Sequence, residues 1–397
     1  MKKQIILILV LFVHLSSWSQ KSASTDGNCT DQMASKAKGR WVKMGDLGTI
    51  NSPEAYKRLD AIQNLLFTIY PEPVGVDAAW SRNNGISNFG AKRKFFNPKE
   101  GSTAYINLPH FLQYTYTCGF FDYFCYEGKM IPGYPGETSA VIQVFVNTLS
   151  HFTGDGLADC DMNIGGLPVK MRSQLKEKWK GYDLYTTETG SSTHSVLIHR
   201  AGMLPYIPIT RKQYLDHSIQ HLTTIFGKMI KDFEKIPVRS PGEQEKEKNG
   251  NLEKFKKDFG SDPKRLKSAV DYYLAGYQTD QQRRDEQVNK SKKIKIDILK
   301  RYQDELEKTT KEGLLDSPAS VVVLHSPDLI TPIFVDEDKG QMLVTDNPDY
   351  IRKDLPKHIP QFFVLTWKGM SKGVRGEVGK IIKEKFPIEK LQAMIDK

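Results

Sequence analysis

Leu215, Ile219, Leu222, Phe226, Met229, Phe233 and Ile236 recur at alternating intervals of four and three residues. This is the seam of a helix that packs along another helix, and it constrains the chain more than any other pattern in it. Its start is equally marked. Thr210 with Gln213 fits a capping box, in which each side chain satisfies a backbone N–H of the other's residue. Ile209 and Tyr214 are placed for the accompanying hydrophobic staple, and Pro205 and Pro208 hold the approaching chain extended. The stretch "MLPYIPITRKQYLDHSIQHL", 203–222, therefore reads as a strand handing over to a helix.

A partner helix follows. Asp262-Pro263 opens a run towards Gly313 with apolar positions Leu266, Val270, Tyr273 and Tyr277, resumed by Ile294, Ile298, Tyr302 and Leu306. Unbroken, it would be about 75 Å long against about 40 Å for the first helix. The mismatch predicts a break or bend near Gly276, or a middle section standing in water. Residues 237–251, with Pro241-Gly242 and Asn249-Gly250, read as a polar loop, and Leu252, Phe255 and Phe259 as a short helix.

Strand signals flank this region on both sides. Ser52-Pro53 caps a helix with Tyr56, Leu59, Ile62, Leu66 and Ile69 on one face, stopped by Pro71. Short β-prone runs at 103–107, 113–117, 141–147, 182–186 and 195–199 follow, separated by Gly, Pro, Asn and Asp. Beyond the helices, 319–324 suits a buried strand, 332–335 and 342–345 a hairpin, and 361–367 a further strand, before short helices at 374–385 and 388–395. The fold expected is α+β: a mixed, mainly antiparallel sheet body with an inserted long, coiled-coil-like helical hairpin. Its divisions are a signal peptide at 1–19, the body at 20–209 and 314–397, and the hairpin at 210–313.

The first segment carries the export expectation. Lys2 and Lys3 precede an apolar run, and Ser17-Trp18-Ser19 offers small residues for cleavage before Gln20. Such a signal, short and lysine-led in the bacterial manner, sends the chain to the periplasm or cell exterior. No later stretch is apolar enough for a membrane helix, so no span is expected after cleavage. The formal charge of +10 falls to +8 with Lys2 and Lys3 removed, and the remaining charges are interleaved rather than blocked. That balance favours anionic envelope polymers over nucleic acid as partners.

Four cysteines in an oxidising compartment imply disulfides. Cys118 with Cys125 is the pairing a hairpin would bring together, leaving Cys29 with Cys160. Two motifs have metal-like spacing. Asp155, Asp159, Asp161 and Asn163 supply hard oxygen atoms in a tight loop, and the last three match the opening ligands of an EF-hand. Ile164 and Lys170 then stand where that loop needs glycine and glutamate, so calcium is the alternative and no cofactor the expectation. His217 and His221 are one helical turn apart, as zinc ligands can be, but Ser218 replaces the glutamate of a zinc protease.

"YTYTCGFFDYFCYEG", 114–128, concentrates aromatic rings. Tyr114, Tyr116, Phe120, Phe121 and Tyr123 could form a stacking platform for glycans, although such rings ordinarily pack in a core or across strands. In "AKRKFFNPK", 91–99, cations beside Phe95 and Phe96 could touch an anionic polymer. There is no G-x-S-x-G elbow, P-loop or H-E-x-x-H. Glu127, Glu137 and Glu188 are carboxylates without geometry to join them. The expected function is therefore a non-enzymatic binding or scaffolding protein whose helical hairpin, 210–313, meets a protein partner. The alternatives are a secreted hydrolase of polysaccharide or peptide, and a carbohydrate-binding module.

Overall fold

The body begins with α1 (Asp31–Lys36), β1 (Trp41–Lys43), α2 (Pro53–Ile69), β2 (Val76–Asn84) and the ribbon β3 (Lys92–Asn97) and β4 (Ser102–Asn107). It continues through β5 (Tyr114–Tyr126), β6 (Lys129–Pro132), β7 (Ala140–Val146), β8 (Met162–Ile164) and β9 (Leu167–Met171). Next come β10 (Gln174–Trp179), β11 (Tyr182–Thr187), β12 (Thr193–Ile198) and β13 (Tyr206–Pro208). Four helices follow: α3 (Arg211–Glu234), α4 (Pro241–Phe259), α5 (Pro263–Gly276) and α6 (Asp280–Lys311). The chain closes with β14 (Ser320–Val321), β15 (Gln341–Asp346), β16 (Phe363–Lys368), α7 (Gly373–Lys385) and α8 (Ile388–Gln392). This computed structural model describes residues 29–397 except 47, 85–91, 108–110, 134–139, 150–151, 153–161, 165–166, 188–192, 322–332, 338, 369 and 371.

The large sheet runs β1-β2-β5-β7-β16-β12-β11-β10, with β6 also on β5. Its pairs are antiparallel except β1 with β2. Strict alternation gives it two apolar faces. Tyr114, Tyr116, Cys118 and Phe120 of β5 share one face with Ile142, Val144, Phe363, Leu365, Val196 and Ile198, and α2, α7 and α8 cover it with Leu59, Ile62, Leu66, Ile382, Phe386 and Leu391. Phe145, Val364, Leu197 and Tyr185 point the other way, onto Tyr206, Met342 and Val344 of a smaller sheet. That sheet, ordered β13-β15-β9-β8 with β14 also on β15, turns Val169, Met171 and Leu343 towards Tyr214 and Leu215 of α3. The layers are thus helix, sheet, sheet, helix.

Two-residue turns join β5 to β6 and β10 to β11. Glu127 and Gly128 (φ 50° and 72°) and Lys180 and Gly181 (φ 49° and 85°) occupy the left-handed region that such tight hairpins require.

Several expectations hold in detail. The Ser52 side chain caps α2 by accepting from Ala55 N (3.2 Å). Thr210 and Gln213 form the reciprocal box, with Ile209 and Tyr214 buried beside it. The second helical run breaks after Gly276, as its length required, because Tyr277 is extended and Thr279 starts α6 with another capping box.

Others are corrected. Residues 211–311 make four helices rather than one long hairpin, and 237–251, expected as a polar loop before a short helix, is largely the first half of α4. Ser240 and Glu243 form a capping box with Pro241 at the first helical position, and a Cβ at Gly242 or Gly250 would meet nothing within 4 Å. The disulfide joins Cys29 to Cys125, Cα atoms 5.6 Å apart. Cys118 and Cys125 lie on the same strand, about 23 Å apart along its rise, so they cannot pair. Cys118 is a buried free thiol in the core, its pKa pushed up by burial, and Cys160 lies outside the described residues. Ile333 to Val335 form no strand with β15; Val335 N donates to Ser320 O (3.0 Å) instead.

His194 on β12 gives the body an acid-sensitive point. Its ring lies 5.5 Å from that of Trp367, and its Nδ1 is buried without a hydrogen-bond partner among the described residues. Burial first, then the charges of Lys176 and Lys383, hold its pKa below 6.5. The unfolded chain therefore takes up this proton before the folded one does. The contribution is fully present above the unfolded value and is lost as pH falls through that value towards the folded one. Urea midpoints should fall between about pH 7.5 and about pH 5.5, and His194→Gln should flatten that slope. Equal slopes in both proteins would refute the assignment.

Candidate functional site

Helices α3 to α6 are rooted in the small sheet at a single point. Ile209 N donates to Leu343 O (2.9 Å), Leu343 N to Ala319 O (2.8 Å) and Ala319 N to Ile209 O (2.8 Å). This ring of three backbone hydrogen bonds brings the start of α3 and the chain after α6 side by side. Arg211 N to Ser317 O (2.9 Å) and Lys212 N to Leu315 O (3.0 Å) extend the closure. Around it, Tyr214 and Leu215 pack with Ile333, Phe334, Tyr302 and Leu306, and the two tyrosine hydroxyls are 3.4 Å apart. The β3–β4 ribbon supports the same root: Gln213 Nε2 donates to Pro98 O (3.0 Å), and Phe96 is buried in this core.

Away from the root, α3 packs along α6 and α4 against α5. Ile230 of α3 and Val288 and Ser291 of α6 are buried between them. Where the chain turns from α3 to α4 and from α5 to α6, a polar joint replaces the core. Buried Gln244 donates to Arg239 O (2.7 Å) and accepts from Asp280 N (2.8 Å). Arg239 grips Asp280 through Nε (2.7 Å) and Nη2 (2.9 Å), and this hydrogen-bonded pair holds the Asp280 carboxyl well below the usual range. Asn251 Nδ2 reaches Tyr273 OH (3.1 Å), and Phe255 meets Tyr273 edge-on.

The apolar side chains here are only partly covered. No residue of α5 is buried, and Tyr272 is 86% exposed. Leu274 on the same helix, Ile225 and Ile236 at and beyond α3, and Ile294 and Ile296 on α6 are also exposed. The α3 seam grades from buried Leu215 through half-buried Ile219, Leu222, Phe226, Met229 and Phe233 to exposed Ile236. No helix among the described residues is long and apolar enough to cross a membrane.

The residues singled out in the sequence are mostly dispersed. Tyr114, Tyr116 and Phe120 are fully buried, so the expected aromatic surface is core at those positions. Phe121 lies across Gly119, where a Cβ would come within 2.9 Å of the ring. Half-buried Tyr123 donates to Asp77, which is buried and also held by Arg40 Nη2 (3.0 Å). His217 is half-buried with its ring 6.2 Å from that of Phe96, and His221 sits one turn further along α3. Among the described residues, no three His, Cys, Asp or Glu side chains group as metal ligands. Asp155, Asp159 and Asp161 lie outside the described residues; Asn163 is on β8, and its side chain is outside them too. Glu127 is an exposed turn residue, and Glu137 and Glu188 are outside the described set.

No family model, curated protein or solved structure matches this chain.

α3 and α6 pack together from the root outward, where Tyr214 meets Tyr302. Replacing residues 223–293 by a short glycine-serine linker should therefore keep the root and its core. Cooperative thermal unfolding of that variant is the expected outcome; loss of a cooperative transition would show that the distal helices are needed to fold the body.

Proposed function

We propose that this is a non-enzymatic binding protein of the cell envelope, in which helices α3 to α6 form an arm that meets a protein partner. One observation carries the reading. An entire amphipathic helix, α5, is held in place with none of its residues buried, leaving Tyr272 and Leu274 outward. A monomer gains little by ordering such residues, whereas an aromatic side chain with aliphatic neighbours is a common anchor of a protein interface. Export by the N-terminal signal and attraction to anionic envelope polymers through the net charge of +8 after cleavage belong to the same reading.

The test compares the mature protein with Tyr272→Ser/Leu274→Ser in capture from native envelope extract, with a photo-crosslinker at position 272 in a parallel sample. Both substitutions are on exposed positions, so stability should change by no more than about 0.5 kcal/mol each. The expected result is a crosslinked partner captured by the unaltered protein and lost from the double variant. Equal capture by both proteins would overturn the assignment of α5 as the contact.

A further inference from the structure

Away from the helices, the gap between the β10–β11 edge of the large sheet and the small sheet holds a cleft of about 420 Å³, a volume in the range of small-molecule sites. Its floor is a buried cation. Arg172 follows β9 and its side chain is only 8% exposed. The guanidinium lies over the Tyr185 ring at 5.1 Å, and Nη1 donates to Tyr206 OH (3.4 Å). Its Nε has no hydrogen-bond partner among the described residues. Among the described residues, the carboxylate paired with it is Glu337, which reaches in from the turn before β15 and is itself 50% exposed.

The remaining wall has a consistent character. Leu175 and Leu204 present exposed aliphatic surface to the cleft. His199 Nδ1 lies 2.7 Å from Arg200 O and 2.9 Å from Met203 O, two acceptors, so that nitrogen carries a hydrogen. Asp183 also lines the cleft and is paired with Lys178.

The geometry points to a binding site for a small organic monocarboxylate with an apolar or aromatic body, in which Glu337 acts as an internal occupant that the ligand's carboxylate displaces from Arg172. A buried guanidinium requires an anion beside it, since removing the partner strands its charge. Glu337 fills that need from a half-exposed position, so a second carboxylate can take its place while Glu337 returns to water. Guanidinium geometry matches a planar carboxylate. Tyr185, Leu175 and Leu204 suit an apolar body, and Lys178 and Asp183, both on the cleft wall, offset one another as an ion pair. This site is independent of the proposed arm and uses none of its residues.

The experiment titrates phenylacetate into the full mature protein by calorimetry, with phenylacetamide as the uncharged control and inorganic phosphate as the competing anion. Glu337→Gln removes the internal occupant and should tighten phenylacetate binding by at least about tenfold. Leu204→Trp, at the exposed rim, fills the cleft without touching Arg172 and should abolish binding with cooperative unfolding intact. Arg172→Lys keeps the charge without the planar fork and should weaken binding in the Glu337→Gln background. The proposal is overturned if Glu337→Gln fails to bind phenylacetate at about 10 mM. Equal binding of phenylacetamide, or phosphate binding as well as phenylacetate does, would overturn it too.

Discussion

The ring of hydrogen bonds among Ile209, Leu343 and Ala319 is the constraint on which the molecule depends. Leu343 offers its N–H and C=O to the same edge, so β13 and β14 lie end to end along one side of β15 while β9 takes the other. About a hundred residues of helix then leave and return through a gap bridged by one more bond, Ala319 N to Ile209 O. All three residues are fully buried, so these bonds are shielded from water and an unmade one would leave an unsatisfied group. The small sheet thereby faces two ways. Met342 and Val344 complete the core against the large sheet, and Leu343 between them seats the helices.

That arrangement explains which parts of the fold were legible. Patterns that act locally were plain: the box at Thr210, the cap at Ser52, the β-prone runs of β7 and β16. Two further boxes, Ser240 with Glu243 and Thr279 with Gln282, carry the same signature and were obscured by neighbouring turn residues. Pro241 and Gly242 look like a turn, but proline at the first helical position removes only an N–H that has no partner there. Strand β2 was hidden for a different reason. Its sequence, VDAAWSRNN, is poor in β-branched residues, and it is held as a strand by β1 and β5 on its two sides.

The disulfide shows where local reasoning ends. Reading Cys118 and Cys125 as hairpin partners required a turn between them, whereas β5 continues straight through both and turns only at Glu127-Gly128. An odd separation on one strand also puts the two side chains on opposite faces, one in the core and one outward. Cys29 reaches Cys125 because α1 packs against β5, a tertiary fact with no signature at either cysteine. The aromatic run met the same fate: alternation sends Tyr114, Tyr116 and Phe120 inward together, so their density records the depth of the core. The cleft at Arg172 had no sequence signal at all, because Arg172, Tyr185, Tyr206 and Glu337 come from four separate segments.

The distal helices pose the remaining physical question: what orients them with so little core. Their exposed ion pairs are screened by water and contribute little. Gln244 is different, because it is buried and its amide bonds in both directions, to Arg239 O and from Asp280 N. Such a group specifies one geometry, since any shift leaves a buried donor or acceptor unmade. The caps at Ser240, Asp262 and Thr279 fix each helix start in the same directional way. Orientation is thus supplied by hydrogen bonds, and Tyr272, Leu274 and Ile296 are not required for it. Apolar residues that a fold does not need for its own packing are free to be used on a partner, which is the physical content of the binding proposal.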